Sequence, residues 1–326
     1  MGGKGKLVPY IFQVMPPDPK HHLEPFGGSG AVLLGLPPDP SRLDIYNDFN
    51  NDLSNLFLCV RYRIIELCRE LKFLPIHSRV TFEYFRDFVA HKQLFFDNIK
   101  AEMDALEDPV YFTTEQAAEL LPILKERAEL FDVHRAAAYF IICHASFNAT
   151  TTSFGVKPCN ILRFMHLITE ASKRLENVVV ENKDGIDIIR ERDHPEGLIY
   201  CDPPYYEAEG CYEKLFLRHE ELHDTVAECN GYLIVSYNDC PYIRELYKDC
   251  YILAFKRDNP MAQKKNAEYG ELIITNYDPR PYMTPQFTLF APTVDVGREM
   301  TLVNDPGYSL REINLKKKGK LTLWTT

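Results

Sequence analysis

The chain has 326 residues, a formal net charge of −10 and 45% hydrophobic residues, enough apolar material for one large core or two domains. No apolar run approaches the roughly 18 residues of a membrane span, and the opening MGGKGKLVPYI lacks the apolar core and small-residue site of a signal peptide. The nine cysteines form no CxxC pair and read as reduced thiols, so a soluble cytoplasmic protein is expected, while the acidic balance argues against a polyanion-binding surface all round but not against one basic face.

In chain order, residues 1–53 mix glycines, prolines and short apolar runs. "LEPFGGSGAVLL" reads as a strand, a glycine turn and a helix start, in which Gly27, Gly28 and Gly30 let backbone pass close to a ligand. About twenty residues further on, "LDIYND" ends a second strand at Asp48, where an acid commonly accepts hydrogen bonds from ribose hydroxyls. Taken alone, the unit fits a nucleoside-containing cofactor, a nicotinamide dehydrogenase or a mere tight turn.

Residues 54–145 change to helix-period apolar spacing with little glycine, and Thr114 before Glu115 marks one helix start. Arg61, Arg63, Arg69, Lys72, Arg79, Arg86 and Lys92 concentrate positive charge there, as Lys316, Lys317, Lys318 and Lys320 do near the end of the chain. Both sets read either as solvated faces or as phosphate contacts. From about 160, strand and helix alternate: helices at 161–175, 217–229 and 241–247, strands at 177–181, 197–201, 231–236, 250–255 and 270–276. Alternation of this kind predicts a mostly parallel sheet covered on both faces. The expected organisation is an α/β domain made of 1–53 and 146–278, a helical insertion at 54–145, and an unplaced extension at 279–326.

"LIYCDPPYYEAEG" carries the chemistry. Proline fixes φ and restrains the residue before it, so Asp202 and Pro203 are held extended at a strand tip. The Asp202 carboxylate and the Pro203 carbonyl can converge as two acceptors on one planar amine, with Tyr205 supplying a flat face. Accepting both hydrogens of a base's exocyclic amino group favours a pyramidal nitrogen with a free lone pair. Hydride transfer has no use for such a clamp.

These blocks resemble the DNA adenine-N6 methyltransferases of the type that includes the GATC-methylating enzymes. "GGKGKLVPYIFQVMPP", "EPFGGSGAVLL", "YNDFNNDLSNLF", "NVVVENKDGIDII", "IYCDPPYY", "GYLIVSYND" and "GELIITNYD" follow the family's motifs in the family's order, over most of the first 278 residues. The resemblance implies a Rossmann-like S-adenosylmethionine-dependent sheet with an inserted helical target-recognition domain. It implies cofactor contacts from Gly3, Lys4, Glu24, Pro25, Phe26, Gly27, Gly28, Gly30, Asp48, Asp184 and Asp202, and catalysis by Asp202, Pro203, Pro204 and Tyr205 on a flipped adenine. DNA contacts are expected from Arg61, Arg63, Asn148, Thr150, Thr151 and Lys157. The implied partner is double-stranded DNA, with a cognate restriction endonuclease as a further one, for a monomeric bacterial or phage enzyme. Two departures stand out. The chain reads "FNATTTSFG" where the family carries Phe-Asn-Gly followed by an arginine, and Asp184-Gly185 where it carries Asp-Phe.

Other readings compete. "HEELH" at 219–223 matches a zinc-hydrolase helix but has no recognisable third ligand downstream, so no metal is expected. Cys159 and Cys201 raise cytosine-C5 methylation, yet strand alternation points Cys201 away from Asp202. A catalytically silent DNA-binding protein on the same scaffold is the remaining alternative.

Overall fold

The computed structural model describes residues 5, 7–74, 78–106, 108, 110–146, 151, 153–155, 161–206, 217–258, 268–283 and 300–322. They form two compact units, one over Asn50–Glu176 and one made of Gly3–Phe49 with Asn177–Thr326.

The second unit is an eight-stranded sheet. Its elements are α1 (Val8–Val14), β1 (His21–Glu24), α2 (Ala31–Gly35), β2 (Leu43–Asn47) and, after the helical unit, those from residue 178 onward. The helical unit holds α3 (Asn51–Tyr62), α4 (Ile64–Phe73), α5 (Arg79–Ala90), α6 (Lys92–Leu106), α7 (Thr114–Glu129), α8 (Phe131–Ala145) and α9 (Ile161–Leu175). The sheet unit then continues with β3 (Val178–Glu181), α10 (Gly185–Arg192), β4 (Gly197–Cys201), α11 (His219–Glu228), β5 (Tyr232–Asn238), α12 (Pro241–Leu246), β6 (Tyr251–Asp258), β7 (Glu268–Thr275), β8 (Thr301–Asn304) and α13 (Leu310–Thr322).

The sheet order is β3-β2-β1-β4-β5-β7-β6-β8, parallel from β3 through β5, with β7 antiparallel to both β5 and β6. Every residue of β4 is buried because both faces are covered. Ile199 and Cys201 face one core with Leu23, Ile45 and Val235, and Leu198 and Tyr200 face the other with Ile11, Ile234 and Ile273. From β1 the chain steps outward to β2 and β3, then returns to the other side of β1 as β4. The crevice at the C-terminal ends of β1 and β4 is therefore the topological switch point, where open α/β sheets bind ligands.

The extension after 278 is ordered where described. β8 pairs antiparallel with β6 at the sheet edge. The start of α13 is held by Arg311 N–H to Asn276 O, the Arg311 guanidinium to Pro195 O, and Asn314 to the carbonyls of Ala227 and Cys229. Pro195 precedes β4 and Cys229 precedes β5, so this anchor lies at the end of the sheet opposite the Asp202 tip.

In the helical unit, α8 is buried along nearly its whole length, with Ala136, Ala137, Ala138 and Ile141 fully enclosed. The unit runs beyond the expected 54–145 because α9 packs on α3 and α4, and Arg61 donates to Glu176 O at its far end. α7 starts at Thr114 as expected, and Thr113 is its cap, accepting from Gln116 N–H while the Gln116 side chain accepts from Thr113 N–H.

Candidate active site

The glycine turn follows β1 directly. Gly28 and Gly30 take φ of +51° and +63°, a left-handed backbone that L side chains rarely adopt. Around this turn the predicted residues hold one another. Gly27 N–H donates to Asn47 O at 2.8 Å, Gly28 N–H to Asp48 Oδ2 at 2.8 Å, and the Tyr46 hydroxyl to Gly28 O at 2.8 Å. Glu24, buried at the tip of β1, accepts from Leu33 N–H in α2. Asp48 stands one residue past β2 and is half-buried, so part of its carboxylate is already used to shape the glycine turn.

Asn47 joins three strand ends. Its side-chain amide donates to Pro25 O at 2.8 Å and Lys183 O at 3.0 Å, and its oxygen accepts from Lys183 N–H at 2.8 Å. Asn182 reaches back to the Asp48 and Phe49 carbonyls. Asp184 caps α10 through Oδ1, accepting from Ile186 and Asp187 N–H, and takes the Arg218 guanidinium on Oδ2 at 2.7 Å. Arg218 also forks onto Glu221 at 2.6 and 2.9 Å, and that hydrogen bonding draws the Glu221 carboxyl down to about 2. The glycine at 185 has a local reason: a Cβ there would lie 2.5 Å from the Phe26 ring, so the ring occupies the space that a side chain at 185 would need.

The tip of β4 stands beside this turn. Asp202 is half-buried and accepts from Ser236 Oγ at 2.9 Å, and Ser236 Oγ is 3.0 Å from the buried Tyr200 hydroxyl. Pro203 is buried, Pro204 is half-buried, and Tyr205 packs on the core and donates its hydroxyl to Glu271 Oε2 at 2.7 Å. Burial, then the charges of Asp202 and Glu271, push the Tyr205 phenol well above the ordinary tyrosine value, so it stays a donor. Tyr206 stacks on Tyr242 at 4.4 Å, and its carbonyl accepts from Asn238. The acid, the flat ring and the glycine turn thus share one end of the sheet.

The competing motifs are drawn elsewhere. His219 Nδ1 lies 2.8 Å from the Tyr237 hydroxyl, whereas His223 Nε2 lies 2.9 Å from Asp249, so the two histidines of HEELH face different partners. Among the described residues no cluster of three or more metal-ligating side chains occurs. Cys201 faces the core opposite the Tyr200 side, and burial pushes its thiol well up, away from the thiolate a C5 mechanism needs. Cys159, Gly3, Lys4, Asn148, Thr150 and Lys157 lie outside the described residues. Thr151 takes φ of +63°, in a segment with a Ser146↔Phe154 bridge and a Gly155 N–H to Ala145 O bond. Arg61 is half-buried and Arg63 exposed. Lys92 is engaged with Asp52 at 2.6 Å, beside the buried Arg135.

Sequence reasoning missed Ser236, Arg218, Asn47 and Glu271. Glu271 left a signal: an acid opening the apolar run "ELIIT" of a strand covered on both faces.

A sheet of this order, with a glycine turn and an Asp-Pro-Pro-Tyr tip side by side at its switch point, defines a Rossmann-like methyltransferase. The chain belongs to the D12 class N6 adenine-specific DNA methyltransferase family, which it matches over residues 1–264. It is similar to the Type II methyltransferase M1.LlaDCHI of Lactococcus lactis subsp. cremoris, 24% identical over 290 residues that cover 85% of this chain and 93% of that protein. Its substrate is accordingly DNA, and its reaction is adenine methylation from a methyl donor. Among the described residues no helix is long and apolar enough to cross a membrane.

Proposed function

We propose that the protein transfers a methyl group from S-adenosylmethionine to the exocyclic N6 amino group of an adenine flipped out of double-stranded DNA at a specific sequence. The observation that carries this reading is the Asp202 carboxylate, oriented by Ser236 and placed with Tyr205 next to the glycine turn. The residues present suit the donor. The turn at Gly27, Gly28 and Gly30 keeps side chains out of the crevice, and Asp48 and Asp184 offer carboxylates to ribose hydroxyls and the adenine edge. Glu24, Pro25, Phe26, Gly3 and Lys4 complete the set read as holding it.

When bound, S-adenosylmethionine supplies an electrophilic methyl group. Asp202 and the Pro203 carbonyl accept the two amino hydrogens, which frees the nitrogen lone pair and stabilises the positive charge that grows there. Because the prolines fix these acceptors beforehand, little reorganisation accompanies the reaction. Tyr205 replaces the stacking that a flipped base has lost.

Sequence recognition is assigned to the helical unit and the 146–158 segment, with Arg61, Arg63, Asn148, Thr150, Thr151 and Lys157 as contacts. The enzyme is read as a cytoplasmic monomer of bacterial or phage origin, paired with a restriction endonuclease of the same specificity. Transfer of label from methyl-labelled S-adenosylmethionine to adenine in plasmid DNA tests the reaction. No labelled N6-methyladenine from a folded, cofactor-binding protein sinks it and leaves a silent DNA-binding protein.

A further inference from the structure

We propose that Glu271 is a positioning residue for Tyr205, fixing the plane of the ring that receives the flipped base. The proposal rests on the catalytic reading of the β4 tip given above.

Glu271 is 1% exposed, in a strand whose following residues, Leu272, Ile273 and Ile274, are apolar and fully buried. A carboxylate is among the costliest groups to bury, and an apolar residue would serve the packing of β7 better. What the acid provides is an acceptor for the Tyr205 hydroxyl, 66 residues away in sequence and 2.7 Å away in space.

The sheet register shows why this position is suited to the task. Glu271 lies directly across from Asn238 at the C-terminal end of β5. Asn238 donates its side-chain amide to the Tyr206 carbonyl at 3.1 Å. One cross-strand pair therefore holds two consecutive residues of the catalytic segment, Tyr205 by its hydroxyl and Tyr206 by its backbone. A tyrosine ring turns about two side-chain bonds, and a bond at its far end removes most of that freedom. With the hydroxyl held at 2.7 Å, the ring is set before a base arrives and less ordering remains for the binding step.

The test compares Glu271→Leu, Glu271→Gln, Tyr205→Phe and the double variant Tyr205→Phe/Glu271→Leu in the full chain. Each is assayed with labelled S-adenosylmethionine and plasmid DNA from a host without adenine methylation, alongside cofactor affinity and melting temperature. Glu271→Leu and Tyr205→Phe should each lower kcat/KM for DNA by about 10- to 100-fold, the range for leaving one buried polar group without its hydrogen-bond partner, with cofactor affinity unchanged. Glu271→Gln keeps an acceptor oxygen and should recover most of the activity. The double variant should lose no more than the worse single one, because both remove the same bond.

Additive losses overturn the proposal, as does normal turnover by folded Glu271→Leu. Should Glu271→Leu fail to fold, Tyr205→Phe decides: full activity would mean the ring needs no tether. Asp202→Ala separates the two layers of the argument. If it is inactive while the Glu271 variants are normal, only the positioning role falls; if it is active, the catalytic reading falls as well.

Discussion

Ser236 donates to Asp202 Oδ1 over 2.9 Å, and its hydroxyl oxygen also lies 3.0 Å from the Tyr200 phenol, so the acid at the β4 tip is aimed by a side chain of the neighbouring strand. Asp202→Ala should reduce turnover by about 100- to 1000-fold, the scale for losing one preorganised electrostatic partner, with cofactor affinity little changed. Ser236→Ala should lower kcat by about tenfold, since it loosens the acceptor without removing it. Single-turnover methyl transfer by variants of matched melting temperature measures both, and near-normal transfer by Asp202→Ala would overturn the mechanism.

Asp48 serves the glycine turn through Gly28 N–H and is read to serve the cofactor ribose as well. Asp48→Ala should weaken S-adenosylmethionine binding by about 1–3 kcal/mol, the usual loss for a buried hydrogen-bonding partner. Calorimetry with S-adenosylmethionine and with S-adenosylhomocysteine checks it. Undiminished affinity would restrict Asp48 to shaping the turn.

Asp184 joins the cap of α10 to Arg218 at the start of α11. Asp184→Ala should cost about 0.5–2 kcal/mol of stability through the lost cap, and should weaken cofactor binding in addition. Arg218→Met leaves the cap intact and should affect cofactor binding alone, because its exposed pairing adds little stability. Paired melting and binding measurements distinguish the two, and an Arg218→Met variant that melts as early as Asp184→Ala would contradict the assignment.

Two histidines give opposite pH dependences. His144 is exposed at its edge, but its ring packs against Phe140 and Phe164 at 4.3 Å, and the water lost at those faces pushes its imidazole down to about 4, so the folded chain resists protonating it while the unfolded chain does not. Its contribution is complete above the usual histidine value near 6.5 and is lost as pH falls toward about 4, and it is small because solvent reaches the ring. His223 is raised by its hydrogen bond to Asp249, so its contribution is complete below the ordinary value and is lost as pH rises through the raised one. His144→Phe should flatten the fall in melting temperature between pH 7 and pH 4 on the pH scale of these shifts. His223→Gln should flatten the alkaline side instead, and an unchanged acid limb in His144→Phe would refute the first assignment.

The basic residues of the helical unit should not behave alike. Arg63 is exposed, and Arg63→Ala should reduce the salt slope of DNA binding by about one unit if it meets a phosphate. Lys92 already neutralises Asp52, so Lys92→Ala should lower the melting temperature and leave the slope alone. Binding titrations over a range of salt concentrations decide between them.

The local signals in the chain were enough to predict many of its elements, though not α1, α10, β8 or α13. Apolar periodicity, the glycine turn and the two prolines act over a few residues, and β4 at Gly197–Cys201 and α9 at Ile161–Leu175 fall where those signals put them. The order of motifs likewise pointed to the methyltransferase family, because Asp-Pro-Pro-Tyr needs no distant partner to be read. What the sequence left open is which polar groups meet. Ser236 reaches Asp202 only because β5 lies beside β4, and Glu271 reaches Tyr205 only because β7 runs back antiparallel against β5. Arg218 finds Asp184 across 34 residues. The helical unit extends to Glu176 because α9 buries its face on α3 and α4, a choice made by packing and invisible to periodicity. Pairing and packing depend on register and burial across long stretches of chain, which the tertiary structure alone decides.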